Sequence, residues 1–178
     1  MNPKRRDALS GTPMAYFITV TTYGTWLPGD PRGWVSRHYA GTEEASRPAS
    51  MRLHESNSAS MSGHAIQLDR RMQRIVEDTI RTTCRDAGWT LLAIAVQTNH
   101  FHLLVASAAT AAQTLSRLKG AATRTLRMAE AIGQDQKAWS RQGSTRYLWT
   151  KRAVARVRYY IEEMQEDKDV TMPWSDDG

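Results

Sequence analysis

Apolar residues recur along this chain in two rhythms, one helical and one extended. From Asp69 to Ala87, the residues Met72, Ile75, Val76, Ile80 and Cys84 share one side of a 3.6-residue repeat, and Gly88 is placed to end that helix. A second stripe, Ala112, Leu115, Leu118, Ala122, Leu126 and Ala129, predicts a helix from about Ala109 to Ala131. A third, Val154, Val157, Ile161 and Met164, runs from Lys151 to about Gln165, with Thr150 as its cap. The extended rhythm is densest in Ala15–Tyr23, a β-branched and aromatic stretch. It returns in the apolar run Leu91–Val105, which reads as one buried strand or two short ones, and in the short segment Ser144–Trp149.

The order strand, helix, strand, helix, short strand, helix predicts an α/β (α+β) fold. It is that of a ferredoxin-like sandwich, a mainly antiparallel sheet with helices packed on one face. Residues 1–13 form a basic arm and 167–178 a loose tail, leaving a single domain over 14–166. Glycine and proline impose turns on Gly24–Trp34. Residues 36–65 are polar and without periodicity, an inserted loop long enough to expect a functional role.

Composition narrows the class. No stretch approaches the ~20 apolar residues that span a bilayer, and the charged N-terminus has no apolar segment behind it. The single cysteine, Cys84, cannot form an internal disulfide; it suits a reducing cytoplasm and falls on a helix stripe as packing. Mean hydropathy is −0.56, net charge +6 and pI near 9.8, a balance that favours polyanionic partners. Of 24 Lys and Arg residues only five are Lys, so 19 are Arg, the side chain suited to forked phosphate contacts. Arg117, Lys119, Arg124 and Arg127 lie off the apolar stripe of the second helix. Lys119 and Arg124 are the candidate DNA contacts there.

His100-Phe101-His102 stands at the centre of the most apolar run. Residues i and i+2 of a strand share a face, so the two imidazoles project side by side, as ligands of one divalent cation would. Burying two imidazoles without partners is costly. The last helix adds Tyr159 and Tyr160, and tyrosine can hold a covalent phosphodiester link. His38, His54 and His64 lie in the polar insertion and read as solvated. Trp26 and Trp34, with Arg32 and Arg37, either clamp single-stranded DNA or pin their loop to the core.

The strand-borne Asn99-His100-Phe101-His102-Leu103-Leu104-Val105, then a helix, then a late helix carrying Tyr160-Ile161, resembles the single-tyrosine HUH transposases of insertion sequences and the REP-associated tyrosine transposases. Thr21-Thr22-Tyr23-Gly24-Thr25-Trp26-Leu27-Pro28-Gly29-Asp30 and Arg32-Gly33-Trp34 look like one branch of that group, and the likeness covers roughly residues 15–166. It implies that His100 and His102 bind Mg²⁺ or Mn²⁺. It makes Tyr160 the nucleophile that cleaves single-stranded DNA, leaving a 5′-phosphotyrosine and a free 3′-OH. It also implies hairpin DNA as partner, a homodimer and a cytoplasmic site of action.

One position departs from the family pattern. A third ligand, Gln or Asn, is expected four residues after the tyrosine, where this chain has Met164, a poor ligand for a hard cation. Gln165, five residues on, is the substitute named here. Glu163 stands four after Tyr159, so Tyr159 remains the alternative nucleophile. Two other functions compete: a domesticated hairpin-binding protein that no longer cleaves, and a metal hydrolase of small substrates. The basic charge and the absence of a carboxylate beside the histidines count against the hydrolase.

Overall fold

The computed structural model describes residues 11–31, 34–35, 46–141 and 143–163. In chain order its elements are β1 (Ala15–Thr21), β2 (Trp34–Val35), β3 (Ser46–Arg47), α1 (Met51–Ala59) and α2 (Arg70–Asp86). There follow β4 (Thr90–Val96), β5 (His100–Ala106), α3 (Ala111–Met128), β6 (Ser144–Leu148) and α4 (Lys151–Glu163). Four strands make one antiparallel sheet in the order β4-β5-β1-β6, and β2 and β3 pair as a separate ribbon. The path β1-α2-β4-β5-α3-β6 with that strand order is the ferredoxin-like arrangement expected from the sequence.

The apolar run resolves into two strands, β4 and β5. The turn between them is closed by the Gln97 amide donating to the His100 carbonyl at 2.8 Å. The helices begin where local chemistry starts them. Asp69 accepts from the Met72 amide at 2.8 Å, Thr110 and Gln113 form a capping box, and Thr150 accepts from the Ala153 amide at 3.1 Å. The stripe of α3 runs through Ala111, Thr114, Leu118, Ala122 and Leu126, so its first turn buries Ala111 and leaves the expected Ala112 exposed. The capping box at Thr110 sets that phase.

Helices cover both faces of the sheet, whereas one covered face was expected. Tyr16, Ile18, Val20, Phe101, Leu103 and Val105 face α2 and α3. Ala15, Phe17, Leu104 and Leu148 face the other way, against Val157 and Ile161 of α4. The cause is legible in β1 and β5, which are apolar at consecutive rather than alternate positions, and a strand apolar on both sides must be buried on both.

The polar insertion contains an unforeseen helix, α1, none of whose residues is buried. With no apolar stripe it leaves no periodic signal. A turn holds it in place: the Ser50 amide donates to the Gly29 carbonyl at 3.0 Å, and Asn57 Nδ2 donates to the Pro28 carbonyl at 3.3 Å. Gly29 has φ 91°. Among the described residues no helix is long and apolar enough to cross a membrane.

Candidate functional site

β5 runs beside β1 in a register that sets Thr19 opposite His102 and Thr21 opposite His100. Phe101 and Leu103 go to the α2/α3 core, so alternation sends both imidazoles to the α4 side. Their ring centroids are 4.7 Å apart. Each ring is oriented through Nδ1. Thr19 Oγ1 lies 2.8 Å from His102 Nδ1, and Asn99 Oδ1 lies 2.7 Å from His100 Nδ1. An amide oxygen only accepts, so His100 carries its proton on Nδ1 and the lone pair falls on Nε2. His102 takes the same form when Nδ1 donates to Thr19.

His102 is fully buried, and its Nε2 is buried with no hydrogen-bond partner. Burial first, and the neighbouring His100 second, pushes its imidazole down to about 3. A neutral ring with an orphaned lone pair is what a cation ligand requires, and a polar partner holding Nδ1 is the usual support for one. The pair therefore fits a divalent metal. Among the described residues no group of three or more His, Cys, Asp or Glu side chains comes together. A cation held by the two imidazoles would take its other ligands from water, substrate phosphate or residues outside the described ones.

α4 supplies the third member. The Tyr160 ring lies 5.7 Å from that of His102 and 6.2 Å from that of Phe17. Phe17 in turn stacks on His102 at 5.5 Å. Val157 and Ile161 anchor the helix in the core, which turns Tyr160 inward at the edge of its buried face. Tyr159 points away, at 61% exposure. The structure thus brings His100, His102 and Tyr160 together and leaves Tyr159 outside the group. Met164 and Gln165 lie outside the described residues.

The two basic positions named from sequence fare differently. Lys119 Nζ donates to the Ser140 carbonyl at 2.7 Å and the Arg141 carbonyl at 3.3 Å, and burial pulls its ammonium below the usual range. It ties α3 to the segment leading into β6. Arg124 is exposed on α3, across the sheet from the histidines. His54 and His64 line an open cleft of about 490 Å³ with Gly24, Leu27 and Met61. Trp26 is half-buried, Trp34 belongs to β2, and Cys84 is core as read from its stripe. Arg32, Arg37 and His38 lie outside the described residues.

The family model described as "Transposase IS200 like" matches residues 64–164, more than half of the chain and the whole of the histidine strand. The chain belongs to the IS200-like transposases. Among solved structures, this transposase resembles a REP-associated tyrosine transposase bound to a REP hairpin. The TM-score is 0.50 and the identity 13%, over 90% of this chain and 70% of that one. That likeness shows the fold. A protein from Deinococcus radiodurans, titled as a transposase, aligns at TM-score 0.45 and 17% identity, over 91% and 96% of the two chains. None of the curated proteins matches the chain.

Reasoning from sequence missed Thr19 of this transposase. Its hydroxyl sits in a largely apolar strand on the face of Ala15 and Phe17, a half-buried polar position whose partner only the β1–β5 register supplies.

Proposed function

We propose that this IS200-like transposase cuts and rejoins single-stranded DNA at hairpins through a covalent link to Tyr160, and that it acts as a homodimer. Carrying the reading is the contact between Tyr160 and His102, a buried imidazole whose Nε2 has no hydrogen-bond partner and whose Nδ1 is held by Thr19. His100 and His102 would hold Mg²⁺ or Mn²⁺, which when bound supplies positive charge to the scissile phosphate. Tyr160 Oη attacks phosphorus and the P–O3′ bond breaks, leaving a 5′-phosphotyrosine and a 3′-hydroxyl. The proton that leaves Tyr160 is balanced by the one the 3′ oxygen gains, so no further reagent is consumed. The energy of the phosphodiester is kept in the tyrosyl ester, and attack by a 3′-hydroxyl reverses the step and joins strands. Phe17 walls one side of the tyrosine ring and fixes its approach.

Labelled single-stranded hairpins incubated with the protein and Mg²⁺ or Mn²⁺, then run on a denaturing gel, test this. The expected result is a protein–DNA adduct that requires the cation. It disappears in Tyr160→Phe and survives in Tyr159→Phe. An adduct lost only with Tyr159→Phe overturns the assignment. Tight hairpin binding with no adduct under either cation leaves a hairpin-binding protein without cleavage.

A further inference from the structure

The α4-side face of the sheet is nearly free of charge. β1 contributes Ala15, Phe17, Thr19 and Thr21 to it, β5 contributes His100, His102 and Leu104, and β4 contributes Leu92, Ala93 and Ala95. β6 contributes Ser144, Arg146 and Leu148, in register with Thr19, Phe17 and Ala15. Arg146 is therefore the one charged side chain that these four strands place on the face, among the described residues. It stands directly opposite Phe17, the residue whose ring touches both His102 and Tyr160. Side chains directly opposite across an antiparallel pair have Cβ atoms only about 5 Å apart, and an arginine stem spans further than that.

The placement of β6 is tight. A Cβ on Gly143, the residue before the strand, would come 2.8 Å from the Thr19 carbonyl oxygen, so only glycine allows β6 to close against β1 beside the residue that holds His102. α4 packs on β4 and β5, with β1 between them and the edge strand that carries Arg146. Arg146 is half-exposed, between buried Leu148 and exposed Ser144.

We propose that the Arg146 guanidinium grips a non-bridging oxygen of the scissile phosphate, from the side of Tyr160 opposite the histidines. The proposal rests on the tyrosine reading above. Attack at phosphorus adds negative charge to those oxygens, a cation on the two imidazoles would meet it from one side only, and a forked guanidinium matches a phosphate edge. Sequence reading gave Arg146 no role, because its position beside Phe17 exists only in the β1–β6 register.

The test measures single-turnover adduct formation with saturating hairpin DNA, for wild type, Arg146→Gln, Arg146→Lys and Arg74→Ala, an exposed arginine of α2 on the opposite face. Each is run on a natural scissile phosphodiester and on a methylphosphonate, which lacks the charged oxygen. On the phosphodiester, Arg146→Gln should be slower by about 100-fold. Arg146→Lys should recover part of that loss, and Arg74→Ala should match wild type. On the methylphosphonate, wild type and Arg146→Gln should react at similar rates, which a merely structural role would not produce. Equal wild-type and Arg146→Gln rates on the phosphodiester overturn the Arg146 assignment alone. So does the same loss on both linkages, whether from misfolding or misplacement. Absence of any wild-type adduct overturns the tyrosine reading and this proposal with it.

Discussion

Thr19 shows how a single side chain can orient a candidate metal ligand. A threonine hydroxyl is an ordinary feature of a strand, yet at this register it lies 2.8 Å from His102 Nδ1, and when Nδ1 donates to it the ring's lone pair falls on Nε2. Thr19→Val keeps the shape and removes the partner. Divalent-cation affinity should fall by about 10- to 100-fold, read by titration calorimetry with Mn²⁺, while far-UV circular dichroism stays that of wild type. Unchanged affinity would mean that the hydroxyl does not support the ligand. The motif Asn99-His100-Phe101-His102 was visible in the sequence because its spacing is local. Thr19 was not, since 83 residues separate it from His102.

At the scale of elements, two turns, one ahead of the polar insertion and one between α2 and β4, depend on backbone geometry. Gly29 and Gly88 both have positive φ, 91° and 67°, and their surroundings separate two effects. Around Gly88 an added Cβ meets nothing within 4 Å, so Gly88→Ala should cost only the conformational strain, about 1 kcal/mol. At Gly29 the same Cβ would come 2.5 Å from both the His54 nitrogen and the Ser50 carbonyl oxygen, backbone atoms that cannot step aside without moving α1. Gly29→Ala should therefore cost more than Gly88→Ala, about 2–3 kcal/mol if α1 stays docked, or should undock α1. Urea unfolding and amide exchange of α1 distinguish the two, and equal costs for both variants would show that α1 does not bear on Gly29. The longer helices were legible because each pairs an apolar stripe with a cap. α1 has neither a buried residue nor a side-chain cap bond, and its existence depends on a turn more than twenty residues earlier in the chain.

For the whole molecule, the sheet separates chemistry from the basic helix surface. The histidines and Tyr160 lie on the α4 side, and Arg124 is exposed on α3 on the other side. If a folded hairpin reaches across to α3, Arg124→Ala should weaken hairpin binding, flatten the slope of log affinity against log salt by about 0.7–0.9, and leave the cleavage rate of bound DNA unchanged. Lys119→Ala should instead lower stability, because its ammonium bonds two carbonyls of the segment that delivers β6. Filter binding across a salt series, with thermal melts alongside, checks both. An Arg124 variant with the wild-type salt slope would confine DNA to the α4 side.

The sequence by itself determined the order of strands and long helices, the ferredoxin-like class and the histidine pair. Each is written in spacing along the chain: a 3.6-residue stripe, a two-residue alternation, a cap beside its helix. It also narrowed the late tyrosines to two. Only the tertiary structure turned Tyr160 toward His102, through Val157 and Ile161 seated on the sheet. It also gave Thr19 and Arg146 their neighbours, moved α4 to the face opposite α2 and α3, and assigned Lys119 to an internal bond rather than an open surface. These depend on register and on contacts between residues far apart in the chain, which no local pattern encodes, because the same side chain serves different neighbours on each face of a sheet.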